Sequence, residues 1–253
     1  MSTRETITLP ARDLAGSKLR CLLLTSLPRK TIAATLQRLV APLAEVNPDR
    51  HHWLPGGLRD PEEAKLGECP HFLTPELREE LTLWWLVNRN GANTPNWDIL
   101  STCTIEGREG LLLIEAKAHD KEVRREGKSR GNAENDRQIG AAIAESNAEL
   151  LKLSSGWAIH RDSHYQLSNR FAWAWKVASL GVPVILVYLG FLNADEMSHR
   201  GKPFTSNKQW RDLILDHGAG VIPESAWGTR LKTAKAPMWA LLRSMDLKWT
   251  VEE

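Results

Sequence analysis

A chain of 253 residues is long enough for one large domain, or a domain with appendages, and for a sizeable core. Its 42% apolar and 25% charged residues are ordinary for a globular chain, and no low-complexity tract or internal repeat interrupts them. The net charge of +2 excludes nucleic-acid binding through overall charge, so an anionic partner must meet a local patch.

Cys21, Cys69 and Cys103 are odd in number and widely spaced, which argues against a disulfide framework and fits a reducing compartment. The polar start MSTRETITLPARD lacks the apolar region of a signal peptide, and no apolar run approaches the roughly 20 residues that span a bilayer. The expectation is a cytoplasmic protein with no membrane partner.

In chain order, residues 11–46 read as helical, with Ile32, Leu36, Leu39, Val40 and Leu43 at helical spacing. Residues 47–74 carry Pro, Gly and His and read as loop with short turns. Thr74 is placed to cap a helix that begins at Pro75 and ends before Asn90-Gly91. Two strand patterns follow, NWDILSTCTI and GLLLIEAKA, joined by the glycine-bearing stretch from Glu106 to Gly110 as a hairpin. No strand pattern is visible between residues 90 and 95. After a polar segment, AENDRQIGAAIAESNAELLKL reads as a helix, and QLSNRFAWAWKVASLG as another that stops at Gly181. VPVILVYLGF has the pattern of a buried strand. NKQWRDLILDH and APMWALLRSM read as short helices of an appended region.

The expected fold class is α/β (α+β), a central mixed sheet flanked by helices. Residues 1–74 form an N-terminal helical extension, 75–191 the core, and 192–253 a C-terminal helical extension packed on it.

Residues two apart in a strand share a face, so Glu115 and Lys117 point with Leu111 and Leu113. Asp98 lies about as far before the hairpin turn as that pair lies after it, so folding the hairpin brings all three to one end of the sheet. Two nearby carboxylates repel unless a positive charge sits between them. Magnesium takes oxygen ligands and needs only one or two carboxylates, and the Ala116 carbonyl is a further candidate ligand. The plain alternative is a surface hairpin with a cross-strand ion pair.

Asp98, a gap of sixteen residues, then Glu115-Ala116-Lys117 on two adjacent strands resembles the PD-(D/E)XK nuclease superfamily over residues 75–191. The resemblance implies a restriction endonuclease-like three-layer core of a helix, three strands, a helix and a strand. It also implies hydrolysis of nucleic-acid phosphodiesters by a metal-activated water, with DNA the expected substrate and Mg2+ or Mn2+ the cofactor. Asp98 and Glu115, with Ala116, would then hold the metal, and Lys117 would be the catalytic lysine. Many members place a Glu on the first core helix; Glu79 and Glu80 compete, and the buried stripe through Leu77, Leu81 and Trp84 favours Glu80. Many also carry a polar residue on a later helix near the lysine. Gln138 is the candidate, with Gln166, Asn169 and Arg170 as others.

Arg124, Arg125, Lys128 and Arg130 leave directly from the strand of Lys117 and are either a solvated loop or a phosphate-contacting one. Asn169 and Arg170 begin a helix and suit a phosphate contact or a plain cap. A non-catalytic nucleic-acid- or protein-binding module on the same scaffold is the alternative function, and a homodimer is left open. His51-His52 and Cys69-Pro70-His71 fit no usual zinc spacing. Trp173 and Trp175 sit two apart on a helix and are read as core residues rather than base-stacking ones.

Overall fold

The computed structural model describes residues 15–89, 92–124, 126–128 and 131–248. Helices α1 (Gly16–Thr25) and α2 (Arg29–Val40) come first. Three short strands follow, β1 (Ala44–Glu45), β2 (Trp53–Leu54) and β3 (Ala64–Lys65). Helix α3 (Pro75–Trp85) precedes β4 (Asn96–Trp97), β5 (Ile99–Ile105) and β6 (Arg108–Lys117). Then come α4 (Ala133–Leu153), α5 (Tyr165–Leu180), β7 (Val184–Leu192), α6 (Asn207–Gly218), β8 (Leu231–Lys232) and β9 (Pro237–Asp246).

Seven strands form one mixed sheet, in the order β1, β5, β6, β7, β9, β8, with β2 also on β5. β5 and β6 are antiparallel; β7 runs parallel to β6, and β9 parallel to β7. Alternation along the strands sorts side chains to two faces. Leu111, Leu113, Leu186 and Ala240 pack with α3, α4 and α5. Leu112, Ile114, Val187 and Leu241 pack with α1 and α2. The result is a curled mixed sheet with helices on both faces, and among the described residues no helix is long and apolar enough to cross a membrane.

Local chemistry explains most boundaries. The Thr74 hydroxyl accepts the Leu77 N–H, and Pro75 opens α3 without wasting a donor. Asn132 caps α4 by accepting from Glu134 and Asn135 N–H. Helix α5 stops at Gly181, whose φ of 111° is cheap only without a side chain. Trp173 and Trp175 are both buried because α5 is enclosed on nearly every side. Trp173 meets Trp84 and Trp85 edge-on at 5.9 and 5.6 Å.

Three expectations are corrected. APMWALLRSM is not a helix; all of it after Ala236 lies within β9. Its residues Pro237–Leu242 are buried on both faces, so the run has no alternation, and a short continuous apolar run does not separate strand from helix. The segment read as loop contains β2 and β3, and β1 lies where the helical reading still ran. β1 and β2 cover the outer edge of β5, pairing Ala44 with Ile105 and Trp53 with Ser101. The hairpin turn is also tighter than expected. It comprises Glu106 and Gly107, with φ of 49° and 75°, and Arg108–Gly110 already pair with β5.

Candidate functional site

The expected strand NWDILSTCTI is broken at Asp98. Asn96 and Trp97 pair away from the main sheet, with Lys65 and Ala64 of β3. From Ile99 onward the chain pairs with β6, and the last partner of Ile99 is Ile114. Asp98 sits at the point of departure, and its side chain does what a strand backbone would have done. Its Oδ2 accepts the Ala116 N–H at 2.6 Å. Two residues on, the Glu122 Oε2 accepts the Ala118 N–H at 2.5 Å. The free edge of β6 is thus satisfied by two carboxylates, one on each side of Lys117.

Glu115 points to the α5 face and is 1% exposed. Its Oε1 takes the Lys117 ammonium, and its Oε2 accepts Arg170 Nε at 2.6 Å. Arg170 is itself fixed: Nη2 donates to the Asn96 carbonyl at 2.7 Å, and Nη1 to Asn169 Oδ1 at 2.9 Å. The guanidinium lies 4.6 Å from the Trp97 ring centre. Tyr188 pairs with Glu115 across β6 and β7; its buried hydroxyl has no partner among the described residues.

Burial pushes the Asp98 carboxyl up to about 8, helped by the Glu115 charge and opposed by Lys117. Burial also acts to raise Glu115, but Arg170 and Lys117 together outweigh it and hold that carboxyl below its ordinary value. Burial alone would lower Lys117; Glu115 and Asp98 reverse this and hold the ammonium above its usual range. Two neighbouring carboxylates are therefore driven apart, one toward the neutral form and one firmly ionised. Such a split is typical of a working site.

The structure brings together Asp98, Glu115, Ala116, Lys117 and Arg170, with Asn169 behind the last. Arg170 is not a free phosphate contact, because Glu115, Asn96 and Asn169 occupy it. Two candidates lie elsewhere. Glu80 is exposed on α3, since Leu81, Thr82, Trp84 and Trp85 are the residues that helix buries. Gln138 is half-buried and donates to the Trp84 carbonyl at 2.8 Å, so it ties α4 to the end of α3. Arg124 is exposed, near Glu126 at 3.7 Å, and Lys128 is paired with Asp136. Arg125 and Arg130 lie outside the described residues.

Glu122 and Trp97 were missed. Glu122 arrives through a single 3-10 turn, Asp120–Glu122, which leaves no periodic trace in sequence. Trp97 carried one usable signal, its position beside Asp98. Among the described residues, no group of three or more His, Cys, Asp or Glu side chains is placed to hold a metal ion. No family model matches the chain, and neither a curated protein nor a solved structure matches it.

Proposed function

We propose that the chain is a metal-dependent nuclease of the PD-(D/E)XK type, with a restriction endonuclease-like fold, that hydrolyses nucleic-acid phosphodiesters, DNA first among them. One observation carries the reading: Asp98, Glu115 and Lys117 meet at one end of the β5–β6 hairpin, with Lys117 in the field of both carboxylates. The succession of α3, the antiparallel pair β5 and β6, helices α4 and α5, and β7 parallel to β6 supports the family core.

The donor chemistry fits magnesium or manganese. Asp98 and Glu115 offer hard oxygens, with the Ala116 carbonyl a third candidate. Burial first, and the Glu115 charge second, drive Asp98 toward neutrality, a condition that a divalent cation relieves. The second Asp98 oxygen makes no hydrogen bond to the described residues. When bound, the ion supplies a Lewis acid and a water acidic enough to attack a phosphodiester at neutral pH. Lys117 sets a positive charge where negative charge grows on the phosphoryl oxygens. Arg170 fixes the orientation of Glu115, and the Asn96 carbonyl fixes Arg170.

Digestion of linear, circular and single-stranded DNA and of RNA, with Mg2+ or Mn2+, tests the reading. Cleavage is expected, and Asp98→Asn or Lys117→Met lowers it by roughly 100-fold or more while circular dichroism shows an intact fold. A folded protein that cuts none of these and gives no heat of Mn2+ binding ends it. One observation favours the second reading, a non-catalytic nucleic-acid- or protein-binding module: both oxygens of Glu115 are already taken by cations of the chain. Nucleic-acid binding that needs no metal and survives both substitutions selects that reading.

A further inference from the structure

Two clefts flank the site, and the first turn of α5 belongs to both. One, of about 580 Å3, is walled by Tyr165, Gln166, Asn169 and Arg170 on one side and by the stretch around Asn93 and Asn96 on the other. The other, of about 350 Å3, is walled by Lys117, Glu122, Arg124 and Gly127, with Tyr165 and Gln166 again. Lys117 therefore opens on one cleft and Arg170 on the other. Glu115 joins them beneath, since it holds Lys117 by one oxygen and Arg170 by the other. A chain that passes from one cleft to the other over Tyr165 and Gln166 crosses the ionic end of β6.

The larger cleft has a distinct chemistry. Its cationic walls are Lys128, paired with Asp136, and Arg170, paired with Glu115, and among the described residues no carboxylate lines the cleft itself. Amides dominate the rest: Asn93, Asn96, Asn132, Asn135, Asn169 and Gln166. Asn132 and Asn135 are spent on the start of α4 and on the backbone at Val87 and Asn88. Gln166 is half-buried and makes no hydrogen bond to a described residue, so both faces of its amide are open to a ligand. Trp85 and Tyr165 add aromatic surface. Asn96 donates to Glu63 and Asn169 accepts from Arg170, so Gln166 is the open amide. That amide, the aromatic walls and two cations held in place by Asp136 and Glu115 suit a nucleobase with its phosphate nearby. Ligand pockets run from about 300 to 1,000 Å3, so a cleft of about 580 Å3 admits one nucleotide and not a duplex.

We propose that this amide-walled cleft seats one unpaired nucleotide of a single strand, whose adjoining phosphate lies over Glu115 and Lys117. The preferred nucleic acid is then single-stranded or locally unpaired. The proposal rests on the nuclease reading for the place of the phosphate, while the cleft and its preference are tested separately from the reaction.

The full-length chain carrying Asp98→Asn is titrated by fluorescence anisotropy, at one fixed salt concentration, with a labelled oligothymidylate and with a blunt duplex of equal length. The single strand is expected to bind roughly tenfold tighter or more. Adding Ala92→Trp, which fills the cleft from its wall, or Gln166→Ala, which removes the open amide, is expected to erase most of that preference. Equal or tighter duplex binding, or an unchanged preference in a folded Gln166→Ala variant, overturns the proposal. Hydrolysis of bis(p-nitrophenyl) phosphate by the unsubstituted chain with Mn2+ reports on the reaction alone. Absence of that hydrolysis with the strand preference intact removes the nuclease reading and leaves the cleft assignment supported.

Discussion

The two ends of the β5–β6 hairpin carry the same kind of ion pair in opposite settings. At the turn, Glu106 accepts Arg230 Nε and Nη2 at 2.7 and 2.9 Å, and the two side chains are 46% and 37% exposed. At the open end, Glu115 accepts Arg170 Nε at 2.6 Å, and the side chains are 2% and 8% exposed. Water screens the first pair, and geometry that good still contributes little there. The second pair has lost its water, so every remaining lone pair and proton must be met by protein, as Lys117, Asn96 and Asn169 do. An apolar cluster would fill the same space with less desolvation cost. A buried ionic end is thus poor design for stability and good design for a site.

The largest expected effect breaks the buried end. Arg170→Met strands the Glu115 carboxylate with one partner and should lower unfolding free energy by about 3–5 kcal/mol, read from urea titration. A smaller loss, near that of an ordinary surface change, would mean that Lys117 and solvent suffice for Glu115.

Next comes Asp98. Its carboxyl is raised to about 8 in the folded chain, so the folded state keeps a proton that the unfolded chain gives up near its ordinary value of 3.8. The sign follows: this contribution is whole below pH 4 and drains as pH rises toward 8. Asp98→Asn keeps an oxygen for the Ala116 N–H and removes the titration. Its melting temperature should match the parent near pH 4 and exceed it near pH 9. Each kcal/mol recovered is about 2–4 °C for a chain of this size. A constant difference across that range defeats the assignment, and millimolar Mg2+ should narrow the gap at high pH by stabilising the parent.

The smallest effect is at the turn. Arg230→Met should leave the urea midpoint unchanged within error, since the pair it removes is open to water. A marked loss there would show that exposure does not separate the two ends after all.

Much of this arrangement was legible in the chain. Alternation placed Glu115 and Lys117 on one face, and counting outward from the connection read at Glu106 to Gly110 brought Asp98 to their end. Helix α4 announced itself by its period, and α5 by its period and the closing Gly181, but α5 begins at Tyr165, so Asn169 and Arg170, read as a helix start, lie inside it. What stayed hidden depends on contacts between segments far apart. Nothing local to Arg170 marks it as the partner of Glu115, 55 residues earlier in the chain. Glu80 looked well placed because Leu77, Leu81 and Trp84 set its helix angle, but that stripe fixes only which way α3 faces. The depth at which Gln138 meets α3, and not its helical position, commits it to Trp84. β9 was lost because burial on both faces removes the alternation by which a strand is read.

The cover over the outer edge of β5 has a practical side. That edge is closed by two dipeptides, Ala44–Glu45 and Trp53–Leu54, and by the Thr102 N–H bond to the His52 carbonyl at 2.9 Å. Unpaired strand edges recruit other strands, and chains blunt them with short covering pieces of this kind. Residues 44–54 therefore serve as a guard against self-association, and a fragment that begins at the α3 helix would carry the ionic site on an adhesive sheet.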